Sequence, residues 1–173
     1  MAATIRQAES VPASYPALDP AVGADVWQRI ESYIAHRYSA RDIEWIVEGP
    51  GEWHPPLAPA TINTVEVWSC RANEWENITP DASPLGGYWL SATGPFRFTG
   101  TVGVDDADVP ASVATAAQRL SEYMKAKPST PGATSESTRA GSVETSKSRD
   151  ASWMAQAMQN SGAADLLRTY RKV

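Results

Sequence analysis

The sequence is poor in the residues that most often carry metal or redox chemistry. It holds one cysteine and two histidines in 173 residues, so it cannot form an intrachain disulfide and lacks the ligands of a usual Cys and His zinc site. Cys70 fits a reducing cytoplasm and is interpreted as a strand-end or loop thiol. His36 falls in a predicted helix and His54 in a proline-rich loop, and we interpret both as structural residues. We expect no metal and no cofactor.

Long apolar runs are also missing, and charge is unevenly distributed. No stretch approaches the length of a transmembrane helix, and residues 1–20 lack the apolar core of a signal peptide, so we expect a soluble protein without a membrane partner. Residues 1–124 contain no Lys, seven Arg and sixteen Asp or Glu, a net charge of −9. Residues 125–173 carry a net charge of +4. The acidic body argues against phosphate-backbone binding, whereas the basic end suits either nucleic acid or an acidic protein groove.

Acidic residues form two small groups, and neither matches a catalytic or calcium motif. Glu48 and Glu52 flank a Gly-Pro-Gly turn, where carboxylates are usually solvated rather than paired for glycoside hydrolysis. Asp105, Asp106 and Asp108 resemble the start of a calcium loop but lack the later bidentate Glu of an EF-hand. There is no nucleophile elbow, phosphate-binding glycine loop or dinucleotide fingerprint. These sequence patterns therefore identify no catalytic site.

Hydrophobic periodicity predicts one folded body over residues 22–126, preceded by a flexible N-terminal segment at 1–21. Apolar residues at helical spacing predict amphipathic helices over 23–38 and 110–126. Alternating residues between turn signals predict strands over 43–48, 62–69, 75–79, 88–92 and 95–102. The predicted fold class is α+β, with two amphipathic helices flanking a small, mainly antiparallel β-sheet, a flexible tether and a helical C-terminal docking arm.

The C-terminal 47 residues divide into a tether and an arm. Residues 127–151 consist mainly of Ser, Thr, Gly, Pro, Ala and scattered charge, which predicts a disordered tether. Residues 152–173 are apolar and helix-forming, and their position beyond the tether predicts docking onto a partner. The alternative is that they fold back on their own domain as a last helix. Gly162 is predicted to form a left-handed cap or bend. The candidate docking residues are Trp153, Met154, Met158, Gly162, Leu166, Leu167, Arg168, Tyr170 and Arg171.

Six sequence blocks, in this order, resemble a known family of viral proteins. They are residues 41–53 (RDIEWIVEGPGEW), 55–61 (PPLAPAT), 65–68 (VEVW), 84–88 (PLGGY), 94–98 (GPFRF) and 161–171 (SGAADLLRTYR). The blocks resemble the head-to-tail adaptor proteins of long-tailed phages and phage-derived gene transfer agents. The resemblance covers most of the chain from about residue 22 onward, except the tether.

The resemblance implies a structural protein of the virion head–tail connector, made in the host bacterial cytoplasm. It implies a homo-oligomeric ring, dodecameric in relatives, beneath the capsid portal. The C-terminal segment would contact the portal protein, and the other side of the ring would bind the next tail-connector, or stopper, protein. DNA would pass through the lumen without specific binding. The resemblance also implies that the protein is not an enzyme and has no catalytic residue.

The loop at residues 49–59 is predicted to take part in these contacts. Its glycines and prolines predict a stiff, projecting structure that carries an aromatic side chain. We expect Trp53, Pro55 and Pro56 to contact a neighbouring subunit or the next connector component. The alternative is that Trp53 covers its own sheet as a lid. A further alternative function is a small carbohydrate- or protein-binding module that uses exposed Trp53 and Trp89.

Overall fold

The computed structural model describes residues 1–84, 86–105, 107–126, 135–140, 143–148 and 152–171. The chain divides into two compact units. The sheet unit comprises Met1–Pro16 and Ala35–Asp108, and the helical unit comprises Ala17–Ile34 and Val109–Val173. Helices and antiparallel sheets are both present, which confirms a mixed α/β protein.

The strands within the described residues pair in three antiparallel sheets. They are β1 (Ala3–Glu9), β2 (Arg41–Glu48), β3 (Gly51–Trp53), β4 (Ala60–Ser69), β5 (Glu74–Asn77), β6 (Asp81–Ala82), β7 (Tyr88–Leu90), β8 (Phe96–Val102), β9 (Ser135–Ala140) and β10 (Val143–Ser148). One sheet has the strand order β1-β2-β8-β4-β5, and the second has the order β3-β7-β6. Strands β9 and β10 form the third. The five predicted strands are confirmed, with boundaries that shift by up to two residues.

The core of the sheet unit follows from the alternation along the central strands. Trp45 of β2 lies opposite Phe98 of β8, which lies opposite Val65 of β4, so that all three share one face of the five-stranded sheet. The three-stranded sheet adds Trp53 and Leu90 to the same cluster. The other buried apolar residues of the cluster are Ala2, Ile43, Val47, Leu57, Phe96 and Val102.

The N-terminal residues are ordered, and the prediction of a flexible segment over 1–21 is wrong for Ala3–Glu9. This strand pairs with β2 along its length, with one irregularity near its start. Its polar side chains accept hydrogen bonds from donors of buried residues. The indole of Trp45 donates to Gln7 at 2.9 Å, and the guanidinium of Arg37 donates two hydrogen bonds of 2.9 Å to Glu9. The polar composition suggested a linker, but these residues satisfy donors of the core.

The helical unit contains both predicted long helices. Its described helices are α1 (Ala24–Ile34), α2 (Ala111–Lys125), α3 (Ala157–Asn160) and α4 (Ala163–Leu167), followed by a 3-10 turn (Arg168–Tyr170). Helix α1 ends four residues before the predicted boundary, because Ala35 takes a positive φ of 55° that a helix cannot continue. Pro110 is the N-cap residue of α2, and Ala111 occupies the first helical position.

Part of the predicted tether forms two paired strands. Ser135–Ala140 pairs with Val143–Ser148 in a continuous antiparallel register, so the prediction of a disordered tether is wrong for these residues. The register places Arg139 opposite Glu144 and Glu136 opposite Lys147. The rest of the predicted tether, 127–134, 141–142 and 149–151, lies outside the described residues.

Candidate interaction surfaces

The C-terminal arm packs against helix α2 of its own chain. Ala157, Ala163 and Leu167 are fully buried, as are Val113 and Leu120 on the apolar stripe of α2. The arm therefore folds back on its own chain and buries its most apolar side in the helical unit. This is the alternative to partner docking that the sequence left open. Leu167, a candidate portal contact, is buried in this arrangement. Residues 172–173 of the arm lie outside the described residues.

Polar and aromatic contacts hold the start of the arm. The guanidinium of Arg29 on α1 donates a hydrogen bond of 3.2 Å to the carbonyl of Met154. The hydroxyl of Tyr123 on α2 accepts a hydrogen bond of 3.2 Å from the amide of Asn160. The Tyr123 ring also lies 5.7 Å from that of Trp153. Trp153 is therefore half-buried and engaged by its own chain.

The end of the arm is held in a similar way. Ser112 and Tyr170 share a hydrogen bond of 3.0 Å between their hydroxyls. The guanidinium carbon of Arg171 lies 5.4 Å from the centre of the Tyr33 ring, within the range of a cation–π interaction. These contacts fix the C-terminal turn while leaving Arg168 and Arg171 exposed.

Gly162 separates the two short helices of the arm. Its φ of 74° and ψ of 5° are left-handed, a conformation that glycine adopts without strain. The predicted left-handed conformation is therefore confirmed. Helix α4 begins directly after it and buries Ala163, Ala164 and Leu167.

Several candidate docking residues remain accessible on the arm. Their shared property is incomplete burial, and the set combines apolar with basic side chains. We call this set the arm surface, and it comprises Met154, Met158, Leu166, Arg168, Tyr170 and Arg171. Beside it lies an open depression of about 550 Å³ lined by α1 residues and Met158. An amphipathic surface with two exposed arginines can bind a groove that is apolar at its base and acidic at its rim.

Trp53 belongs to the core, so its assignment to a subunit or tail interface is not supported and the lid alternative is. Only 4% of the residue is exposed. Its ring centre lies 4.3 Å from that of Phe98 and 5.7 Å from that of Trp45. Its indole nitrogen donates a hydrogen bond of 2.9 Å to the Thr4 hydroxyl. The sequence left the two alternatives open because a strand of three residues is too short to show an alternating pattern.

The rest of the 49–59 loop is tied to the sheet unit and does not project from it. Ala58 accepts a backbone hydrogen bond of 2.7 Å from Arg37 and donates one of 3.1 Å to Ala35. Leu57 is buried. Pro55 and Pro56 are half-buried, which leaves them a smaller accessible surface than a projecting loop would offer.

A second exposed surface lies on the three-stranded sheet. Trp89 in the middle strand is 51% exposed, and its register partners are Glu52 on β3 and Asp81 on β6. Glu52 accepts a hydrogen bond from the Ser83 hydroxyl and lies 3.1 Å from the ring nitrogen of His54. The hydrogen bond from Ser83 is the main reason why the pKa of Glu52 lies below its usual value. The sequence singled out Trp89 and Glu52 separately, but only the register brings them together.

The other candidate chemical residues do not converge. Burial, and then the charge of Arg37, lowers the pKa of His36. Asp105 accepts a hydrogen bond of 3.1 Å from the backbone of Ala40, and Asp106 lies outside the described residues. Within the described ranges, no three His, Cys, Asp or Glu side chains are placed to hold a metal ion.

Comparisons with known proteins do not assign this chain to a family. Across the part of the chain that the structure describes, no helix has the length and apolar character needed to cross a membrane. No protein-family model matches the sequence, and neither a curated protein nor a solved structure does. The resemblance to phage adaptors therefore rests on the six sequence blocks.

Proposed function

We propose that this chain is a structural head-to-tail adaptor that acts without catalysis. It forms a homo-oligomeric ring beneath the capsid portal, joins the portal protein to the next tail-connector component, and leaves a channel for DNA. The observation that carries the proposal is the arm surface, in which half-exposed Met154, Met158 and Leu166 accompany exposed Arg168 and Arg171. A helical support held by specific contacts presents this surface, as a docking site requires.

A ring makes such a modest surface sufficient. In a closed ring every copy presents the same arm to the same partner, so individually weak contacts act together. The two arginines would face acidic groups of the portal protein, and the methionines adapt readily to irregular apolar surfaces. In the proposed adaptor, α1 and α2 flank the sheet, as the sequence predicts. The charge of −9 on residues 1–124 weakens attachment to passing DNA.

The proposal is tested by mixing the full chain with the portal protein of the same particle. Native mass spectrometry and negative-stain electron microscopy should show rings of this chain bound to portal rings. The double variant Arg168→Glu with Arg171→Glu should weaken portal binding by at least about tenfold, because two charge contacts per copy become repulsive. Arg71→Glu is the matched control, since Arg71 is exposed in the turn between β4 and β5.

Two results would contradict the proposal. Failure of the chain to bind the portal protein or to form rings would exclude the adaptor function. Unchanged portal binding by the double arginine variant would show that the arm surface is not the docking site. Thermal unfolding of each variant is measured in parallel, because Arg171 also contacts the Tyr33 ring.

The alternative function, a carbohydrate-binding module, loses one of its two aromatic residues. Trp53 is buried and cannot stack on a sugar, which leaves Trp89 as the exposed member of the pair. Retention of the full chain on a polysaccharide matrix, lost in Trp89→Ala, would favour this alternative over the adaptor.

A further inference from the structure

Trp89 occupies the centre of a short row that crosses all three strands of the smaller sheet. Directly opposite residues of antiparallel strands share a face, so Glu52, Trp89 and Asp81 point to the same side. The other face carries Trp53 and Leu90, which are buried in the core. The row is therefore the outer face of this sheet, and it places an exposed indole between two carboxylates.

The spacing of the row suits a flat cation. Neighbouring strands lie about 4.8 Å apart, so the backbones that carry Glu52 and Asp81 are separated by about 10 Å with the Trp89 ring between them. A guanidinium stacked on the indole gains from the negative ring face. From there its N–H groups can reach the carboxylates on either side.

Glu52 is already held in place for such a role. The Ser83 hydroxyl donates to it, and His54 lies 3.1 Å away. These neighbours limit the freedom of the carboxylate, so less side-chain entropy is lost on binding. The hydrogen bond from Ser83 also lowers the pKa of Glu52, so the carboxylate stays ionised to a lower pH than an ordinary glutamate.

We propose that this row, which we call the Trp89 surface, binds an arginine side chain presented by a partner protein. The net charge of −9 on residues 1–124 complements a basic partner. A lysine would gain the charge attraction but not the bidentate, stacked geometry. A neutral sugar would gain stacking alone, and the row offers it a single ring. This inference goes beyond the adaptor function and does not depend on it.

The test follows the indole N–H signals of the full chain by NMR after ¹⁵N-tryptophan labelling, with Trp89→Phe identifying the Trp89 signal. The probe is the peptide acetyl-Gly-Arg-Gly-amide, and its neutral counterpart carries citrulline in place of arginine. We expect the arginine peptide to shift the Trp89 signal with a Kd on the order of 1–10 mM, as befits a single side-chain contact. The same peptide with lysine in place of arginine should bind more weakly than the arginine peptide. The citrulline peptide should bind at least about tenfold more weakly than the arginine peptide.

Variants separate the row from general acidity. Glu52→Gln with Asp81→Asn should weaken arginine-peptide binding by at least about tenfold. Asp42→Asn with Glu48→Gln removes two exposed carboxylates from β2 and should leave the Kd within about twofold. Equal binding of the arginine and citrulline peptides would overturn the proposal, as would an unmoved Trp89 signal. A shift caused by maltopentaose or cellopentaose but not by the arginine peptide would assign the surface to saccharides and would also overturn it.

Discussion

Trp53 provides the sharpest test of the sheet unit, because sequence and structure assign it to different places. Its ring contacts Phe98, Trp45 and Tyr88, whose ring centres lie 4.3 Å, 5.7 Å and 6.3 Å away. Its indole donates to Thr4 of the N-terminal strand. Trp53→Ala removes all of these contacts at once and leaves a cavity between the two sheets.

The expected loss follows from burial. Replacing a buried aromatic residue by alanine costs about 3–5 kcal/mol, of which the hydrogen bond to Thr4 accounts for about 1 kcal/mol. A domain of ordinary stability has about 5–15 kcal/mol in total, so Trp53→Ala should remove between about a fifth and all of it. Trp53→Phe keeps most of the ring packing and loses the hydrogen bond, and it should cost about 1–2 kcal/mol.

Urea denaturation of the full chain, followed by circular dichroism, measures these differences. Trp89→Ala is the matched control, since it removes the same side chain from a position that is 51% exposed. We expect the control to change the free energy of unfolding by no more than about 0.5 kcal/mol. If Trp53→Ala costs less than about 1 kcal/mol while failing to form rings, the burial argument is wrong and Trp53 acts at an interface.

Three further predictions concern single positions. Gly162→Val should cost about 1–3 kcal/mol, because valine is strained at a φ of 74°. Gly162→Asn should cost less in the same denaturation assay, and equal costs would remove the role of the bend. Gly100→Ala should lower the thermal midpoint strongly, since a Cβ there collides with the carbonyl oxygen of Thr61, and an unchanged midpoint would contradict this. Ser83→Ala should raise the pKa of Glu52, measured by carboxyl NMR titration. The lowered pKa of Glu52 stabilises the folded protein at pH values above the usual pKa of a glutamate, and this stabilisation is lost as the pH falls. Ser83→Ala removes part of it, so the variant should lose less stability on acidification than the unsubstituted chain.

The central strands and the two long helices were predictable because their patterns are long. The buried residues Ile43, Trp45 and Val47 alternate over the eight residues of β2, and one face of α1 buries Val26, Trp27 and Ile30. Such runs contain enough repeats for the period to identify the element and its buried face.

Short or polar elements escaped prediction for physical reasons. Strand β1 is exposed along its whole length, so its sequence shows no buried face, and distant Trp and Arg donors fix it in place. Strands β3 and β6 have three and two residues, too few for a period. The Trp89 surface depends on register across three strands, which no local pattern specifies.

In the proposed adaptor, the arm either docks onto the portal protein while packed on α2 or detaches from α2 first. Detachment would expose Leu167, which is fully buried, and each buried leucine contributes about 1.5–3 kcal/mol. Each exposed charge pair formed with a partner contributes only about 0.2–1 kcal/mol, which is less than the cost of exposing Leu167. We therefore expect the arm to dock while still packed on α2. Leu167→Ala should then lower the free energy of unfolding by about 2–5 kcal/mol, yet leave portal affinity per folded molecule within about threefold. If docking required release of the arm from α2, Leu167→Ala would weaken the packing that competes with docking and would strengthen portal binding. If Leu167 itself contacted the portal protein, the same variant would weaken portal binding. A change of about tenfold in either direction, measured below the unfolding temperature by surface plasmon resonance, would refute docking in place.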